Sequence, residues 1–117
     1  MRARILVADD DPTILDFLTM ALEADYAVLG ATDGATALAL AEGERPDLIL
    51  TDVLMPRLSG LEVARRLRAR SGDYQPPIVL ISALRPAPLP PRTTFLAKPF
   101  TVHSLTTKVS ELLREAT

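Results

Sequence analysis

The sequence predicts an α/β fold built on one open, doubly wound parallel sheet with helices on both faces. Two patterns predict this fold. Short apolar runs, typical of buried strands, alternate along the chain with segments whose apolar residues recur at helical spacing. Most of the runs are also followed at once by a polar or charged residue. Ligands of such folds bind at the carboxyl ends of the strands, so these polar residues are candidates for function.

The predicted strands are short and mostly apolar. They cover 4–8, 26–30, 47–51, 78–81 and 94–97. Since strand–helix–strand crossovers are right-handed, we expect the spatial order 2-1-3-4-5. This order makes the strands that precede Asp9 and Asp52 neighbours, with the strand before Ser82 next and the strand before Lys98 beyond it.

The predicted helices carry apolar residues on one face. Asp11 and Asp33 are typical N-terminal caps, and Gly43 and Gly72 are typical helix ends. The arginines within 65–70 are interpreted as a solvated helix face. A nucleic-acid site is not favoured there, because no aromatic residues are interleaved with them. The helices are expected over 13–24, 34–42, 61–71 and 102–113.

A helix is missing from the pattern between Ser82 and the last strand. Only residues 83–93 are available there, and four of them are proline: Pro86, Pro88, Pro90 and Pro91. A helix averages about 11–12 residues, and an interior proline costs roughly 3 kcal/mol. The sequence therefore predicts a proline-rich extended loop over 85–92, either a new partner surface or a shortened loop without a role.

Composition limits the possible functions. The chain has 117 residues, of which 48% are hydrophobic, enough for a single domain over 1–117. A net charge of -2 gives no overall field that would attract nucleic acid or an anionic membrane, so no direct binding to either is expected. The apolar runs are too short to span a bilayer, and the chain lacks cysteine, as is typical of a reducing cytosol. We expect a cytoplasmic domain.

The polar residues at the strand ends form the parts of a phosphoryl-accepting site. Asp9, Asp10 and Asp52 would repel one another unless some are protonated or a hard cation such as Mg²⁺, or alternatively Mn²⁺, lies among them. Phosphoryl transfer to a carboxylate needs positioning and counter-charge. The Lys98 ammonium would supply charge, the Ser82 hydroxyl would donate a hydrogen bond to a phosphoryl oxygen, and Asp52 would be the nucleophile.

Four motifs in this order resemble the receiver domains of bacterial two-component response regulators. The resemblance covers nearly the whole chain and implies a flavodoxin-like fold. The motifs are Val7-Ala8-Asp9-Asp10-Asp11-Pro12, Thr51-Asp52-Val53-Leu54-Met55-Pro56 with Gly60, Ser82-Ala83, and Lys98-Pro99-Phe100.

The resemblance implies that Asp52 is phosphorylated by a sensor histidine kinase or a histidine phosphotransfer protein, and that the signal passes to a downstream protein that the sequence does not name. It implies a switch in which Ser82 moves toward the phosphoryl group and Phe95 follows. The kinase would dock on the exposed side of 13–24 and on the residues after Lys98. The metal ligands would be Asp9, Asp10, Asp52 and the Leu54 carbonyl.

Two other functions stay open. Asp9-Asp10-Asp11-Pro12-Thr13 also fits the Asp-x-Asp-x-Thr motif of haloacid-dehalogenase-like phosphatases, with Asp9 as nucleophile and Asp11 as general acid. That alternative leaves Asp52 idle and lacks an acidic cluster after the lysine strand. A scaffold that keeps the receiver fold without being phosphorylated is the second alternative. A receiver of this kind would not be a turnover enzyme, and apolar Leu54 and Leu84 beside its site predict slow hydrolysis.

Overall fold

A computed structural model describes residues 2–70, 72–85 and 88–116. The elements are β1 (Arg4–Ala8), α1 (Pro12–Leu22), β2 (Ala27–Ala31), α2 (Gly34–Glu44), β3 (Leu48–Asp52), α3 (Gly60–Arg70), β4 (Ile78–Ser82), β5 (Thr93–Ala97) and α4 (Val102–Glu115). Strands and helices alternate as far as β4, and the five strands form one parallel sheet in the order β2-β1-β3-β4-β5, which confirms the predicted fold class.

The sheet lies between two apolar layers. Successive side chains of a strand point to opposite faces, so each central strand contributes to both layers. Leu6 and Ile49 face α2 and α3, whereas Ile5 and Leu48 face α1 and α4. Every residue of β3 is buried, as expected for the middle strand of a sheet covered on both sides.

The helix starts follow the predictions more closely than the helix ends. Asp11 and Asp33 cap α1 and α2, each accepting a backbone N–H with its carboxylate. The expected end of α2 at Gly43 is wrong, because the helix continues through Gly43 to Glu44 and its left-handed C-cap is Arg45, with φ 49°. Arg45 lies over the ring of Tyr74 at 4.8 Å, a contact that helps to hold it there. No helix in the described ranges is long and apolar enough to cross a membrane.

The connector between β4 and β5, residues 83–92, contains no helix in its described parts, 83–85 and 88–92. This confirms the predicted loss of a helix here. Pro86 and Ala87, which belong to the predicted proline-rich loop, lie outside the described residues. In place of a helix, the side chain of Leu89 packs against the apolar layer beside α2 and α3.

Arg68 of α3 holds the end of the connector. Its guanidinium donates hydrogen bonds to the carbonyls of Pro91 at 2.6 Å, Arg92 at 2.9 Å and Pro76 at 2.6 Å. Burial lowers the pKa of Arg68 to about 10, so the side chain remains a cation at neutral pH. The expectation that all arginines of 65–70 are solvated is therefore wrong for Arg68, whose charge is used to bind backbone carbonyls.

Candidate phosphoacceptor site

Three acids converge at the carboxyl ends of the two central strands. Asp52 is the last residue of β3, and Asp9 follows β1 and donates its backbone N–H to the Ala31 carbonyl at 3.1 Å. One carboxylate oxygen from each of Asp9, Asp10 and Asp52 lies within 4.8 Å of the other two. These donors are all carboxylate oxygens, the ligands that Mg²⁺ and Mn²⁺ prefer, so the cluster fits a hard divalent cation.

Asp9 shows the electrostatic cost of this cluster. Asp9 is only 2% exposed, and this burial raises the pKa of its carboxyl group above the usual value. A hydrogen bond from the Asp11 N–H to Asp9 Oδ1, 2.9 Å long, lowers the pKa, and the charge of Asp52 raises it again. The charged form of Asp9 is therefore less favourable than in water, and a bound cation would stabilise it.

Lys98 provides the positive charge of the site. Its Nζ lies 3.0 Å from Asp52 Oδ1. The backbone N–H of Lys98 also donates to the Ser82 carbonyl at 2.9 Å, which extends the pairing of β5 with β4 by one residue. The position of the ammonium thus depends on the strand ladder rather than on the connector between the two strands.

Ser82 closes the other side of the site. It is the last residue of β4, next to small Ala83, and its hydroxyl accepts a hydrogen bond from the Leu84 N–H at 3.2 Å. Leu84 and Leu54, the two apolar residues expected beside the site, are 82% and 76% exposed. Both leucines therefore have room to move toward or away from a group on Asp52.

Two glycines fit the loop after β3 tightly against the site. A Cβ on Gly60 would lie 2.2 Å from the Asp52 carbonyl oxygen, and a Cβ on Gly34 would lie 2.1 Å from the Leu58 carbonyl oxygen. Gly60 also donates its N–H to the Val53 carbonyl at 2.9 Å. These contacts fix the backbone on which Asp52 is carried. Gly34 was missed in the sequence, where a glycine after an N-cap has no distinctive signal.

Phe95 lies apart from the acids, in β5. It pairs with Leu80 of β4 and so belongs to the face of the sheet that α2 and α3 cover. Phe95 is half-buried, and the guanidinium carbon of Arg85 lies 5.9 Å from the centre of its ring. Arg85 was not predicted to take part, because its position in a proline-rich segment gives no indication of what it contacts.

An apolar groove of about 500 Å³ runs beside Lys98. Phe17 of α1, which is 44% exposed, and Phe100 contribute two rings whose centres are 6.4 Å apart. The groove lies where the resemblance places kinase docking, on the first helix and on the residues after the lysine. It is lined by Ile14, Phe17, Ala83, Lys98, Pro99 and Phe100.

Asp11 is not a member of the acid cluster. Its carboxylate accepts a hydrogen bond from the Thr13 N–H at 2.9 Å and caps α1, and the residue is exposed. This arrangement accounts for the aspartate without catalysis. It weakens the phosphatase interpretation, in which Asp11 is needed to exchange protons with the substrate.

Comparison with known proteins identifies the family. The model of the response regulator receiver domain matches residues 5–110. The chain belongs to this family. It is 42% identical over 124 residues to response regulator MprA of Mycolicibacterium vanbaalenii, covering 100% of this chain and 53% of that protein. It is 46% identical over 86 residues to DNA-binding response regulator MtrA of Mycolicibacterium smegmatis, covering 71% of this chain and 36% of that protein. The chain spans about half the length of MprA and less of MtrA.

Solved structures of receivers have the same fold. The receiver domain of the hybrid histidine kinase CckA superposes with a TM-score of 0.82 at 32% identity, covering 95% of this chain and 99% of that one. Chemotaxis protein CheY4 of Vibrio cholerae superposes with a TM-score of 0.84 at 29% identity, covering 96% of this chain and 99% of that one. The chain is thus a phosphoacceptor domain of two-component signalling.

Proposed function

We propose that residues 1–117 form one receiver domain that is phosphorylated on Asp52 by a sensor histidine kinase or a histidine phosphotransfer protein. The observation that carries the proposal is the position of Asp52, whose carboxylate belongs to the acid cluster and also contacts Lys98 at 3.0 Å. In the reaction the P–N bond of the phosphohistidine breaks as a P–O bond to Asp52 forms, and the imidazole takes up a proton.

The surrounding side chains supply counter-charge and position. Lys98, already paired with Asp52, would bind a phosphoryl oxygen once the carboxylate is esterified, and the Ser82 hydroxyl would donate to another. Mg²⁺, or Mn²⁺, would neutralise charge on the carboxylates and the incoming phosphoryl group when bound. Its ligands would be Asp9, Asp10, Asp52 and the Leu54 carbonyl.

The phosphoryl donor would dock on the apolar groove beside Lys98. Phe17 and Phe100 line this groove, and Met20, one turn along α1, is 71% exposed. Exposed apolar residues that lie together are typical of protein interaction sites. We place this exchange in the cytoplasm, where kinases meet ATP. The downstream partner is a protein of unknown identity rather than nucleic acid or membrane.

We further propose that the domain assists its own phosphorylation and dephosphorylation without turning over as an enzyme. The apolar side chains of Leu54 and Leu84, beside the site, offer no hydrogen bond to water that attacks the aspartyl phosphate and would hinder its approach. A phosphoryl group on Asp52 should therefore hydrolyse slowly. Loss of the group within seconds would contradict this part of the proposal.

The proposal is tested by the intact mass of the chain after incubation with acetyl phosphate and Mg²⁺. We expect one phosphoryl adduct that is absent with a chelator and absent in Asp52→Ala. Asp16→Asn, which removes an exposed acid from α1, is the matched control and should be phosphorylated normally. Circular dichroism of each variant establishes that it is folded.

The other outcomes select between the alternatives. A folded wild-type chain that gains no phosphoryl group would favour the non-phosphorylated scaffold. An adduct that persists in Asp52→Ala, together with turnover of p-nitrophenyl phosphate, would move the nucleophile to Asp9 and favour the phosphatase. Neither result is expected.

A further inference from the structure

The two ends of the β4–β5 connector are held with different strength. Near β5, Arg68 binds the carbonyls of Pro91 and Arg92, and Leu89 is packed into an apolar layer. Near β4, Leu84 is largely exposed and donates its N–H to the hydroxyl of Ser82. Movement of the connector should therefore be confined to the end beside Ser82.

Arg85 connects that loose end to the face of the sheet. Its guanidinium lies over Phe95 at 5.9 Å, within the range of a cation–π contact. No helix from the described part of the connector covers Phe95, which pairs with Leu80 near the apolar layer of α2 and α3. Arg85 thus lies over one face of the ring.

We propose that Arg85 is a lid on Phe95 that phosphorylation of Asp52 opens. The inference rests on the proposed function, since its trigger is the phosphoryl group. The new element is the arginine, which would take the place of the missing helix in controlling access to the aromatic ring. The open lid would free Phe95 to follow Ser82, and Leu84 together with the face that the ring leaves would be presented to the downstream protein.

The hydrogen bonds of Ser82 provide the mechanism. In the resting chain its Oγ accepts from the Leu84 N–H at 3.2 Å, a distance with little room for lengthening. Donating to a phosphoryl oxygen on Asp52 requires Oγ to turn toward β3, because Asp52 and Ser82 end neighbouring strands. That movement breaks the bond to Leu84. Residues 83–85 then lose a hydrogen bond that fixes the connector directly before Arg85.

The Arg85–Phe95 contact can be measured through the affinity for a phosphoryl mimic, because the two are thermodynamically linked. If the Arg85–Phe95 contact stabilises the resting state, removing it must strengthen binding of a phosphoryl mimic by the same factor. A contact of this kind corresponds to about a two- to fivefold change. Beryllium fluoride with Mg²⁺ serves as the mimic. Loss of a positive charge would by itself weaken binding of an anion, so tighter binding by Arg85→Ala would identify the lid.

The experiment is a double-mutant cycle on the whole chain, with the apparent Kd for beryllium fluoride as readout. We expect Arg85→Ala and Phe95→Leu each to bind about two- to fivefold more tightly, and the double variant to gain nothing further. Arg85→Lys retains a cation that can contact the ring, so its affinity for beryllium fluoride should lie between those of wild type and Arg85→Ala. Arg66→Ala, which removes an exposed α3 arginine paired with Glu62, should bind like wild type.

A second readout follows the contact itself. In the resting chain the Nε–H resonance of Arg85 should be shifted upfield by the ring of Phe95, and saturation with beryllium fluoride should remove this shift. An unmoved resonance, or Arg85→Ala with wild-type affinity, would overturn the lid while leaving the receiver function intact. Failure of the wild-type chain to take either the mimic or a phosphoryl group would overturn both.

Discussion

The half of the sheet that carries the acids and the half formed by β4 and β5 are built in different ways. β1 and β3 are covered on both faces, and the loop after β3 is fixed by glycine contacts that leave no room for a side chain. At β5 the described connector has no helix, and Phe95 is half-buried beneath one arginine. The site after β3 is thus closely packed, whereas the sheet at β5 is not covered by a helix from the described part of the connector.

This difference shows that the site does not depend on the missing helix. Ser82 and Lys98 belong to the altered half, yet both are positioned by strand pairing, through the bond from the Lys98 N–H to the Ser82 carbonyl. Arg68 and Leu89 replace the packing that a helix would provide. The site is therefore positioned without a helix from the described part of the connector.

The largest effect is expected where the acid-bearing half is most tightly packed. Gly60→Ala places a Cβ against the Asp52 carbonyl, at 2.2 Å before relaxation, and should destabilise the fold by about 3 kcal/mol. Urea unfolding measures this. Gly43→Ala is the control, because nothing lies within 4 Å of its Cβ, and it should stabilise by about 0.5–1 kcal/mol. Equal behaviour of the two variants would contradict the close packing at Asp52.

A smaller loss is expected in the altered half. Arg68→Met leaves the carbonyls of Pro76, Pro91 and Arg92 without their donor and should cost about 2 kcal/mol in urea unfolding. Arg66→Met, on the exposed side of the same helix, should change stability by less than about 0.5 kcal/mol. If Arg68→Met is still phosphorylated, the phosphoacceptor site does not depend on how the β4–β5 connector is held. Loss of phosphorylation in a folded Arg68→Met chain would show that the connector supports the site.

Replacing Asp9 by a neutral residue should stabilise the folded chain when no metal ion is available. The pKa of Asp9 is raised from 3.8 by burial, so the folded chain holds this proton more tightly than the unfolded chain does. Stability from Asp9 is present at acidic pH and is lost as the pH rises through the folded pKa. Asp9→Asn should therefore melt a few degrees above wild type at pH 7 with a chelator, and the gap should shrink toward pH 4.

The same melting curves test the metal site. Mg²⁺ should raise the melting temperature of wild type, because the ion binds the folded state, and should raise that of Asp9→Asn much less. Asp16→Asn serves as the control for loss of one acid. An equal response to Mg²⁺ in all the variants would mean that Asp9 is not a ligand.

The smallest effect concerns the lifetime of the phosphoryl group. Leu84→Asn introduces a polar group beside the site, where it can bind an attacking water, and should speed hydrolysis severalfold. The decay of the phosphorylated mass with time measures this. Met20→Asn, on exposed α1, should leave the decay unchanged. A slower decay in Leu84→Asn would show that Leu84 does not hinder water.

Sequence patterns predicted the fold and the grouping of the acids because both follow from strand periodicity and from polar residues at strand ends. Tertiary contacts were harder to anticipate. Arg68 is one of several arginines on α3, and its contacts with the Pro76, Pro91 and Arg92 carbonyls distinguish it from the exposed Arg65 and Arg66. The close approach of Gly34 to Leu58 joins segments that are distant in sequence. Such contacts depend on how the elements pack, which local patterns do not encode.

The most direct test of the account is the position of the phosphoryl group within the chain. After phosphorylation with acetyl phosphate and Mg²⁺, reduction with borohydride converts an aspartyl phosphate to homoserine, and tandem mass spectrometry of peptides locates it. We expect homoserine at position 52 and unaltered aspartate at positions 9, 10 and 11. Homoserine at position 9, with Asp52 intact, would contradict the account and identify the phosphatase-like nucleophile instead.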